Sequence, residues 1–285
     1  MKRLTTVAEL NGALDPLRGR ERIAFVPTMG NLHEGHLTLV RRAREQAERV
    51  IVSIFVNPLQ FGAGEDFGSY PRTLARDAEL LAAEGVDWLF APGVEVMYPR
   101  PQAEQTRVVV PDISDILCGA ARPGHFAGVA TVVCKLFNMV RPDVALFGQK
   151  DYQQLLVIRR MVEDLAMPVT VVGVPTVREA DGLAMSSRNG YLDAEQRRLA
   201  PALYRVLCDT AADLAAGEPP AALERAAALA LDAAGLHTDY LVIRRQADLT
   251  VPRPGDSELV ILAAAWLGKT RLIDNLEVRL SSPLV

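Results

Sequence analysis

The sequence has little of what marks membrane, secreted or nucleic-acid-binding proteins. It contains no run of about 18 apolar residues, the length that a membrane-spanning helix needs. Its net charge is only −4, and it lacks the basic stripe of a general nucleic-acid binder. The first residues, 1–5, are not followed by the long apolar segment of a secretory signal. We therefore expect a cytoplasmic protein that binds neither membranes nor nucleic acid.

Cysteine is also scarce. Cys118, Cys134 and Cys208 are odd in number and widely spaced, so they fit buried free thiols in a reducing cytosol better than a disulfide framework. What is present, 49% hydrophobic and 23% charged residues over 285 positions, indicates a globular chain. This length allows a main domain and a smaller one.

Apolar runs alternate with helical periodicity through the first part of the chain. They predict strands at 22–27, 50–56, 86–91, 107–110, 143–147 and 169–174, and helices near 36–48, 72–84, 112–118, 126–140 and 151–165. Alternation of this kind predicts an α/β fold, a Rossmann-like, doubly wound and mostly parallel sheet with helices on both faces.

The character of the sequence changes toward the C-terminus. Helices are predicted over about 193–215 and 219–234, followed by strands near 238–244, 258–265 and 270–278. Helices followed by a run of strands predict a smaller α+β domain with an antiparallel sheet. A polar loop at 175–191 precedes them, and we place the domain boundary near residue 176, giving domains 1–176 and 177–285.

The most informative segment is His33-Glu34-Gly35-His36, which lies between the first predicted strand and the first predicted helix of the sheet. Gly30 and Gly35 remove side chains where a ligand can approach the backbone. The helix start offers unpaired N–H groups and a positive dipole end, and the two imidazoles add donors beside them. This combination suits a nucleotide triphosphate.

Two other interpretations of the motif stay open from these residues alone. His33 and His36 are also consistent with ordinary residues at a helix start, with the two glycines as turn residues. A metal site is less favoured, because no third ligand stands nearby at a convincing spacing. The position of the motif favours the nucleotide, since open α/β sheets bind ligands in their strand-to-helix loops.

Two further polar segments follow predicted strands. In segment 57–62, the amides of Asn57 and Gln60 suit a substrate with hydroxyl and carboxylate groups, and Gln60 is not a favoured turn residue. In segment 147–154, Lys150 offers a charge to phosphate, Asp151 is a candidate helix cap, and Gln154 lies one turn into the helix.

A third segment, 177–190, carries Ser186, Ser187 and Arg188 near the predicted domain boundary. Two hydroxyls and a guanidinium form a combination that binds phosphate, although taken alone the loop resembles a solvated linker. Arg122 and His125 precede the helix predicted at 126–140. For these two residues, structural and functional roles both stay open.

In chain order these segments resemble the pantoate–β-alanine ligase family, within the nucleotidyltransferase superfamily that shares the histidine motif. The matching segments are 27–30, 33–36, 56–62, 122–126, 147–154 and 185–192. Segments 57–62 and 147–154 are far more specific than the histidine motif. Two positions depart from the family pattern: Asn31 replaces a more frequent alanine, and Leu59 a more frequent methionine.

The resemblance implies a ligase that condenses (R)-pantoate with β-alanine, forming a pantoyl adenylate from ATP and releasing AMP and pyrophosphate. It implies a homodimer, and Mg²⁺ would ride on the triphosphate without a dedicated protein cage. Beside the two other polar segments, the loop at 177–190 is interpreted as a lid or clamp on a triphosphate, which makes the C-terminal domain a lid.

The resemblance also implies roles for single residues. His36 would donate a proton, and His33 and Lys150 would act beside it at the phosphates. Gln60 and Gln154 would hold pantoate near Thr28 and Met29, with Gln60 also close to β-alanine. The residues expected to contact ATP are Met29, Gly30, Asn31, Leu32, His33, Glu34, Gly35, His36, Gly148, Gln149, Lys150, Asp151, Val177, Met185, Ser186, Ser187 and Arg188.

Two other functions compete with this ligase. A nucleotidyltransferase that adenylylates another small acid or a mononucleotide would keep the histidine motif but need other residues at Gln60 and Gln154. A non-catalytic nucleotide-binding or dimeric scaffold would be favoured by the loss of His36 or Lys150, and both are present.

Overall fold

The computed structural model describes residues 1–62, 64–65 and 67–284, which form two compact units. The first unit comprises residues 1–149 and 153–175, and the second comprises residues 150–152 and the chain from Thr176 onward. Each unit has its own buried hydrophobic core. Among the described residues, no helix has both the length and the apolar character needed to cross a membrane.

A six-stranded parallel sheet forms the centre of the first unit. Its spatial order is β1-β4-β3-β2-β5-β6, and every pair is parallel. The strands are β1 (Lys2–Leu4), β2 (Ile23–Thr28), β3 (Arg49–Ile54), β4 (Trp88–Phe90), β5 (Val144–Gly148) and β6 (Thr170–Val174). The helices are α1 (Val7–Leu14), α2 (Glu34–Arg44), α3 (Leu74–Ala83), α4 (Val94–Met97), α5 (Cys118–Ala121), α6 (His125–Val140) and α7 (Tyr152–Asp164).

Helices cover both faces of this sheet. Consecutive residues of a strand point to opposite faces, and those of β2 enter two different cores. Phe25 packs in one core with Phe137 of α6, their ring centroids 6.3 Å apart, whereas Val26 packs in the other with Val40 of α2. The predicted doubly wound α/β sheet is therefore confirmed.

The second unit is a small α+β structure, as predicted. Its helices are α8 (Ala194–Leu199), α9 (Ala202–Ala215) and α10 (Pro220–Ala233). They precede an antiparallel sheet of β7 (His237–Arg245), β8 (Glu258–Leu267) and β9 (Thr270–Arg279), in the order β7-β8-β9. Residues of α9, α10 and the three strands share one hydrophobic core.

Two predicted elements of the first unit are wrong. Residues 107–110 form no strand, because the Val108 N–H donates to the Thr131 hydroxyl of α6 (2.9 Å) instead of to a neighbouring strand. The helix predicted at 112–118 is replaced by turns. Asp112 and Leu117 have φ values of 64° and 49°, which a right-handed helix cannot contain. The first helix after these turns, α5, begins only at Cys118.

Smaller differences concern short elements, a proline and the cysteines. The helix predicted at 193–215 is two helices, α8 and α9, separated at Pro201, which has no N–H to continue the hydrogen bonding. Strand β1 and helices α1 and α4 go unpredicted. In β1 and α4, three or four residues carry no readable periodicity. Helix α1 is longer, and the capping box of Thr6 and Glu9 is the signal that could have indicated it. Within the described residues the three cysteines form no disulfide, and they are half-buried rather than buried.

Candidate active site

The strand order creates a switch point between β2 and β5. From β2 the sheet continues through β3 and β4 in one direction, whereas β5 and β6 extend it in the other. Open α/β sheets bind ligands outside the carboxyl ends of their strands at such a point. Here those ends are Thr28 of β2 and Gly148 of β5, which border segments predicted to bind ATP.

Pro27 lies on the side of β2 that faces β5. The carbonyl of Ile23 accepts a hydrogen bond from the residue before β5, and that of Thr28 from the residue after β3. Backbone groups alternate along a strand, so position 27 faces β5 as position 23 does. The recorded pairs of β2 with β5 end at Phe25, and proline has no N–H to extend them. Beyond the last recorded pair, β2 therefore has no N–H at position 27 that would need a partner on the side facing β5.

The loop after β2 adopts a left-handed conformation at two successive residues. Gly30 has φ 83° and Asn31 has φ 50°. A Cβ on Gly30 would lie only 3.1 Å from Asp77 Oδ2 and from Ile54 Cγ2, so both conformation and space call for glycine. Asparagine tolerates left-handed backbone better than most residues, which accounts for Asn31.

Asp77 of α3 holds this loop. The residue is fully buried, and its Oδ2 and Oδ1 accept hydrogen bonds from the N–H groups of Asn31 and Leu32, both at 2.9 Å. Sequence reasoning missed Asp77, because it lies 45 residues beyond the loop, inside an ordinary helical pattern.

His33 and His36 form the N-terminal cap of α2. Nδ1 of His33 accepts a hydrogen bond from the Gly35 N–H (3.2 Å), and Nδ1 of His36 accepts one from the His33 N–H (3.4 Å). The ring centroids are 4.1 Å apart. Because Nδ1 is the acceptor in each ring, the neutral imidazole carries its proton on Nε2. The helix-start role of these histidines thus makes Nε2 the donor atom of both rings.

Asn57 supports the neighbouring residues and leaves no group of its amide for a ligand. Its Nδ2 donates to Gln60 Oε1 (3.0 Å) and to the Gly128 carbonyl (3.1 Å). Its Oδ1 accepts from the Leu59 N–H (3.2 Å) and from the Tyr98 hydroxyl (2.8 Å). Burial raises the pKa of Tyr98, which keeps this hydroxyl a donor. Two donors and two acceptor positions are all that an amide offers, so the substrate role considered for Asn57 is not supported.

Gln60 connects the loop after β2 with the start of α6. Its Nε2 lies 3.2 Å from Met29 Sδ, a weak acceptor, so two residues predicted to contact pantoate are neighbours. Its carbonyl accepts from His125 Nδ1 (2.8 Å) and from Arg122 (3.3 Å). The Thr28 hydroxyl donates to the Ser53 carbonyl (2.8 Å).

Arg122 and His125 both contact the backbone carbonyl of Gln60 and contact each other. Arg122 donates from Nε and Nη2 to the two carboxyl oxygens of Glu65, at 2.7 and 2.5 Å. Its Nη1 lies 3.1 Å from His125 Nε2, which accepts because Nδ1 donates to Gln60. Burial acts to raise the pKa of Glu65, but the hydrogen bonds and charge of Arg122 outweigh it and leave this pKa below its usual value.

On α7, adjacent glutamines differ in their surroundings. Gln153 is buried, and its Nε2 donates to the carbonyls of Ile113 and Ile116, both at 2.8 Å. Its Oε1 accepts from the Cys118 N–H at 3.2 Å. Gln153 therefore fastens the segment before α5, whereas Gln154, the residue predicted to hold pantoate, is half-buried.

In the second unit, the predicted phosphate-binding loop is folded. The Met185 N–H donates to the Val177 carbonyl (3.0 Å), and Gly182 turns the chain at φ 91°. Ser186 Oγ accepts from the Arg188 N–H (3.2 Å) and caps a short 3-10 helix, Ser187–Tyr191. The loop is therefore more ordered than a solvated linker.

Strand β9 anchors both ligand-binding segments predicted in this unit. Arg178 donates to both carboxyl oxygens of buried Asp274 (2.6 and 3.0 Å) and stacks 3.6 Å over the ring of Tyr204. Asn275 donates to the Lys150 carbonyl (2.9 Å). Neither β9 residue carries a sequence signal, because the partners lie 96 and 125 residues away along the chain.

The predicted site residues thus fall into two sets. The first unit holds Thr28, Met29, Gly30, Asn31, Leu32, His33, Glu34, Gly35, His36, Gln60, Gly148, Gln149 and Gln154. The second unit holds Lys150, Asp151, Val177, Met185, Ser186, Ser187 and Arg188. Within the described ranges, no three His, Cys, Asp or Glu side chains cluster so that they could hold a metal ion.

Comparisons of the sequence with known proteins identify the family to which it is similar. A family model described as pantoate-beta-alanine ligase matches residues 2–277. The pantothenate synthetase of Azotobacter vinelandii is 60% identical, over 96% of this chain and 98% of its own length. That of Thioalkalivibrio sulfidiphilus is 61% identical, over 98% and 99%.

Solved structures of the same kind share the fold. The crystal structure of pantothenate synthetase from Thermus thermophilus is 53% identical and gives a TM-score of 0.92, covering 98% of this chain and all of its own. A pantoate-beta-alanine ligase from Francisella tularensis, complexed with beta-gamma ATP and beta-alanine, is 32% identical with a TM-score of 0.82, over 97% of each chain. This chain therefore belongs to the pantoate–β-alanine ligase family.

Proposed function

We propose that this chain condenses pantoate with β-alanine in an ATP-dependent reaction that passes through a pantoyl adenylate. The observation that carries the proposal is the switch point, where the His33–His36 cap follows β2 and the Gln60–Met29 contact joins the ends of β2 and β3. Family membership supports it. The ATP compound and β-alanine named for the Francisella tularensis ligase are the ligands that this reaction requires.

In the first step, a carboxylate oxygen of pantoate attacks the α-phosphorus of ATP. The new O–P bond forms as the bond to the β-phosphate oxygen breaks, and pyrophosphate leaves. An anion that approaches a triphosphate meets charge repulsion, which preorganised donors and cations must offset. The Nε2–H groups of His33 and His36 and the N-terminus of α2 are such donors, and Lys150 and Arg188 add charge.

In the second step, the amine of β-alanine attacks the acyl carbon. The C–N bond forms, the bond to the AMP oxygen breaks, and the nitrogen loses a proton. We assign proton donation to His36 and contacts with pantoate to Gln60, Gln154, Thr28 and Met29, Gln60 also lying near β-alanine. No side chain is assigned as the base for the amine.

The remaining assignments are proposals of the same kind. ATP contacts Met29 to His36, Gly148 to Asp151, Val177 and Met185 to Arg188. Mg²⁺ would bind with the triphosphate and would neutralise part of its charge. We further propose a cytoplasmic homodimer, with residues 1–176 binding nucleotide and pantoate and residues 177–285 serving as a lid.

Pyrophosphate release tests the proposal. The enzyme is incubated with ATP and Mg²⁺, and with pantoate alone, β-alanine alone or both, and the products are identified by mass. We expect pantoyl adenylate with pantoate alone and pantothenate only when β-alanine is added. Nucleotide binding without pantoate-dependent release would instead indicate another acid substrate, and the assignments of Gln60 and Gln154 would be withdrawn first.

A further inference from the structure

A buried carboxylate that the reaction does not use lies against the loop that leads to the histidines. Asp77 is 0% exposed, and its recorded partners are neutral: two backbone N–H groups and one hydroxyl. Burying a charged group is unfavourable unless its hydrogen bonds are satisfied, so the carboxylate and its partners form a unit. Both backbone partners belong to the loop between β2 and α2, so the unit holds the segment that leads to the histidines.

The two carboxylate oxygens of Asp77 have different hydrogen-bond partners. Oδ2 accepts from the Asn31 N–H, and Oδ1 accepts from the Leu32 N–H, both at 2.9 Å. The Thr73 hydroxyl donates to Oδ2 at 3.1 Å. Thr73 occupies the N-cap position of α3, yet its side chain makes no capping hydrogen bond there. The hydroxyl therefore orients the carboxylate instead of capping its own helix.

The loop that receives these contacts has a conformation that needs support. Gly30 and Asn31 both have positive φ, and a non-glycine residue persists in that region only where its surroundings hold it. His33 follows directly, and its Nδ1 must stay within reach of the Gly35 N–H for the cap to form. A shift of the loop backbone therefore moves the donor atoms of the histidine cap.

We propose that Asp77 is a positioning residue for the nucleotide: by fixing the N–H groups of Asn31 and Leu32, it sets the places of His33 and His36. This inference rests on the proposed function, since it assigns those histidines to the phosphates of ATP. Asp77 itself does not contact the reacting atoms.

The test compares Asp77→Asn with Asp87→Asn as a matched control. Asp87 also accepts a hydrogen bond from a backbone N–H, that of Val50 at 2.8 Å, but at the amino end of β3, where it pairs with Arg49 as well. In Asp77→Asn an amide group replaces one acceptor and faces a backbone N–H. We expect KM for ATP to rise about tenfold and kcat to fall at least as much, the effect of losing a charge-assisted hydrogen bond. KM for pantoate should stay within about twofold, and Asp87→Asn should leave all three constants near wild type.

Hydrogen exchange supplies a readout that does not depend on turnover. The amides of Asn31 and Leu32 should exchange faster in Asp77→Asn than in wild type, while those of β3 stay protected. Thr73→Val keeps the carboxylate but removes its orienting hydroxyl, so its KM for ATP should move in the same direction by only about twofold to threefold.

Two outcomes would overturn the inference. One is a folded Asp77→Asn enzyme whose KM for ATP and kcat lie within twofold of wild type. The other is a uniform loss for all substrates, matched by Asp87→Asn, which would show only a loss of folded protein. If wild-type enzyme releases no pyrophosphate with pantoate, the proposed function has failed, and unchanged exchange at Asn31 and Leu32 would then separately refute the positioning role.

Discussion

At the scale of single residues, the histidine motif joins helix capping to chemistry. The usual caps are serine, threonine, aspartate and asparagine. Histidine differs from them because it has two ring nitrogens, and only one of them takes part in the cap. In His33 and His36 one nitrogen of each ring serves the helix start, and Nε2 becomes the donor. A substitution here can therefore change both the helix start and the reaction, and a test must separate the two.

His36→Ala provides that separation. The bond from the His33 N–H to His36 Nδ1 is long, 3.4 Å, so its loss should lower the melting temperature only slightly. Pantoate-dependent pyrophosphate release should fall by about 10²-fold to 10⁴-fold, the range for a removed proton donor. His237→Ala, at an exposed histidine of β7, is the control and should keep wild-type activity. Near-normal turnover in folded His36→Ala would remove the proposed role.

The Glu65–Arg122 pair should make the stability of the fold depend on pH. The pKa of Glu65 is lowered in the folded protein, so the pair stabilises the fold above the unfolded pKa of about 4.3. This contribution is lost as the pH falls through the lower, folded value. Glu65→Gln should therefore reduce the free energy of unfolding by about 1 kcal/mol at neutral pH, and the difference should shrink as the pH falls below about 4.

Urea unfolding at several pH values measures this difference. Glu45→Gln is the control, because Glu45 pairs with Arg42 on an exposed surface where such pairs contribute little. A difference between wild type and Glu65→Gln that stays constant from pH 7 to acid would show that the carboxylate charge is not what stabilises the pair.

At the scale of elements, the close approach of α6 to the turn after β3 sets the place of Gln60. A Cβ on Gly128 of α6 would lie 2.2 Å from the Leu59 carbonyl oxygen and 2.7 Å from the Gln60 nitrogen. The contact is made by backbone rather than by flexible side chains. Only glycine at position 128 allows the helix and the turn to pack at this distance.

Gly128→Ala should therefore separate α6 from the turn and displace Gln60. We expect a loss of about 1–3 kcal/mol in the free energy of unfolding, typical of overpacking, and a higher KM for pantoate. Gly12→Ala makes the same change in the middle of α1, where nothing lies within 4 Å of the added carbon. That control should stabilise the protein by about 0.5–1 kcal/mol. Equal stabilities for the two variants would contradict the packing argument.

The main elements were predictable because most of them show a clear periodicity between turn residues. The two wrong elements, at 107–110 and 112–118, have conformations that their local patterns do not show. The apolar run at 107–110 satisfies its backbone through the side chain of Thr131, and no pattern in the run itself announces a partner 23 residues away. Left-handed φ at Asp112 and Leu117 is equally invisible, because neither residue type requires it.

At the scale of the whole molecule, the two units depend on separate cores, and the second is reinforced by a buried ion pair. Asp274 is 2% exposed in its side chain and Arg178 is 17% exposed, and the pair links the predicted phosphate loop to β9. Removing one partner of a buried pair leaves the other charge without compensation, and the cost is large.

Asp274→Ala should reduce the stability of the second unit by about 3 kcal/mol. Hydrogen exchange should show faster exchange in peptides from α9 and β9, with little change in peptides from β2 and β3. Arg279→Gln, which removes an exposed pair with Glu258 on the same sheet, should have little effect. Protection lost equally in both units would show that they unfold as one.

The candidate site was predictable to the extent that it lies in contiguous motifs. The histidine loop, segment 57–62 and segment 147–154 each follow a strand, and their chemistry can be read locally. The supporting residues Asp77, Asp274 and Asn275 could not be found this way. Each acts through contacts with backbone or side-chain groups that are distant along the chain, and such contacts exist only once the chain has folded.

Pro27 has a consequence for how the crevice between β2 and β5 persists. Neighbouring parallel strands tend to continue their ladder wherever a donor and an acceptor can meet. At position 27 the proline ring removes the donor on the side that faces β5, so β2 can offer only its carbonyl to extend the ladder there. The loss of this donor is a covalent property of the residue, so it does not depend on a bound ligand and is the same before and after a substrate binds.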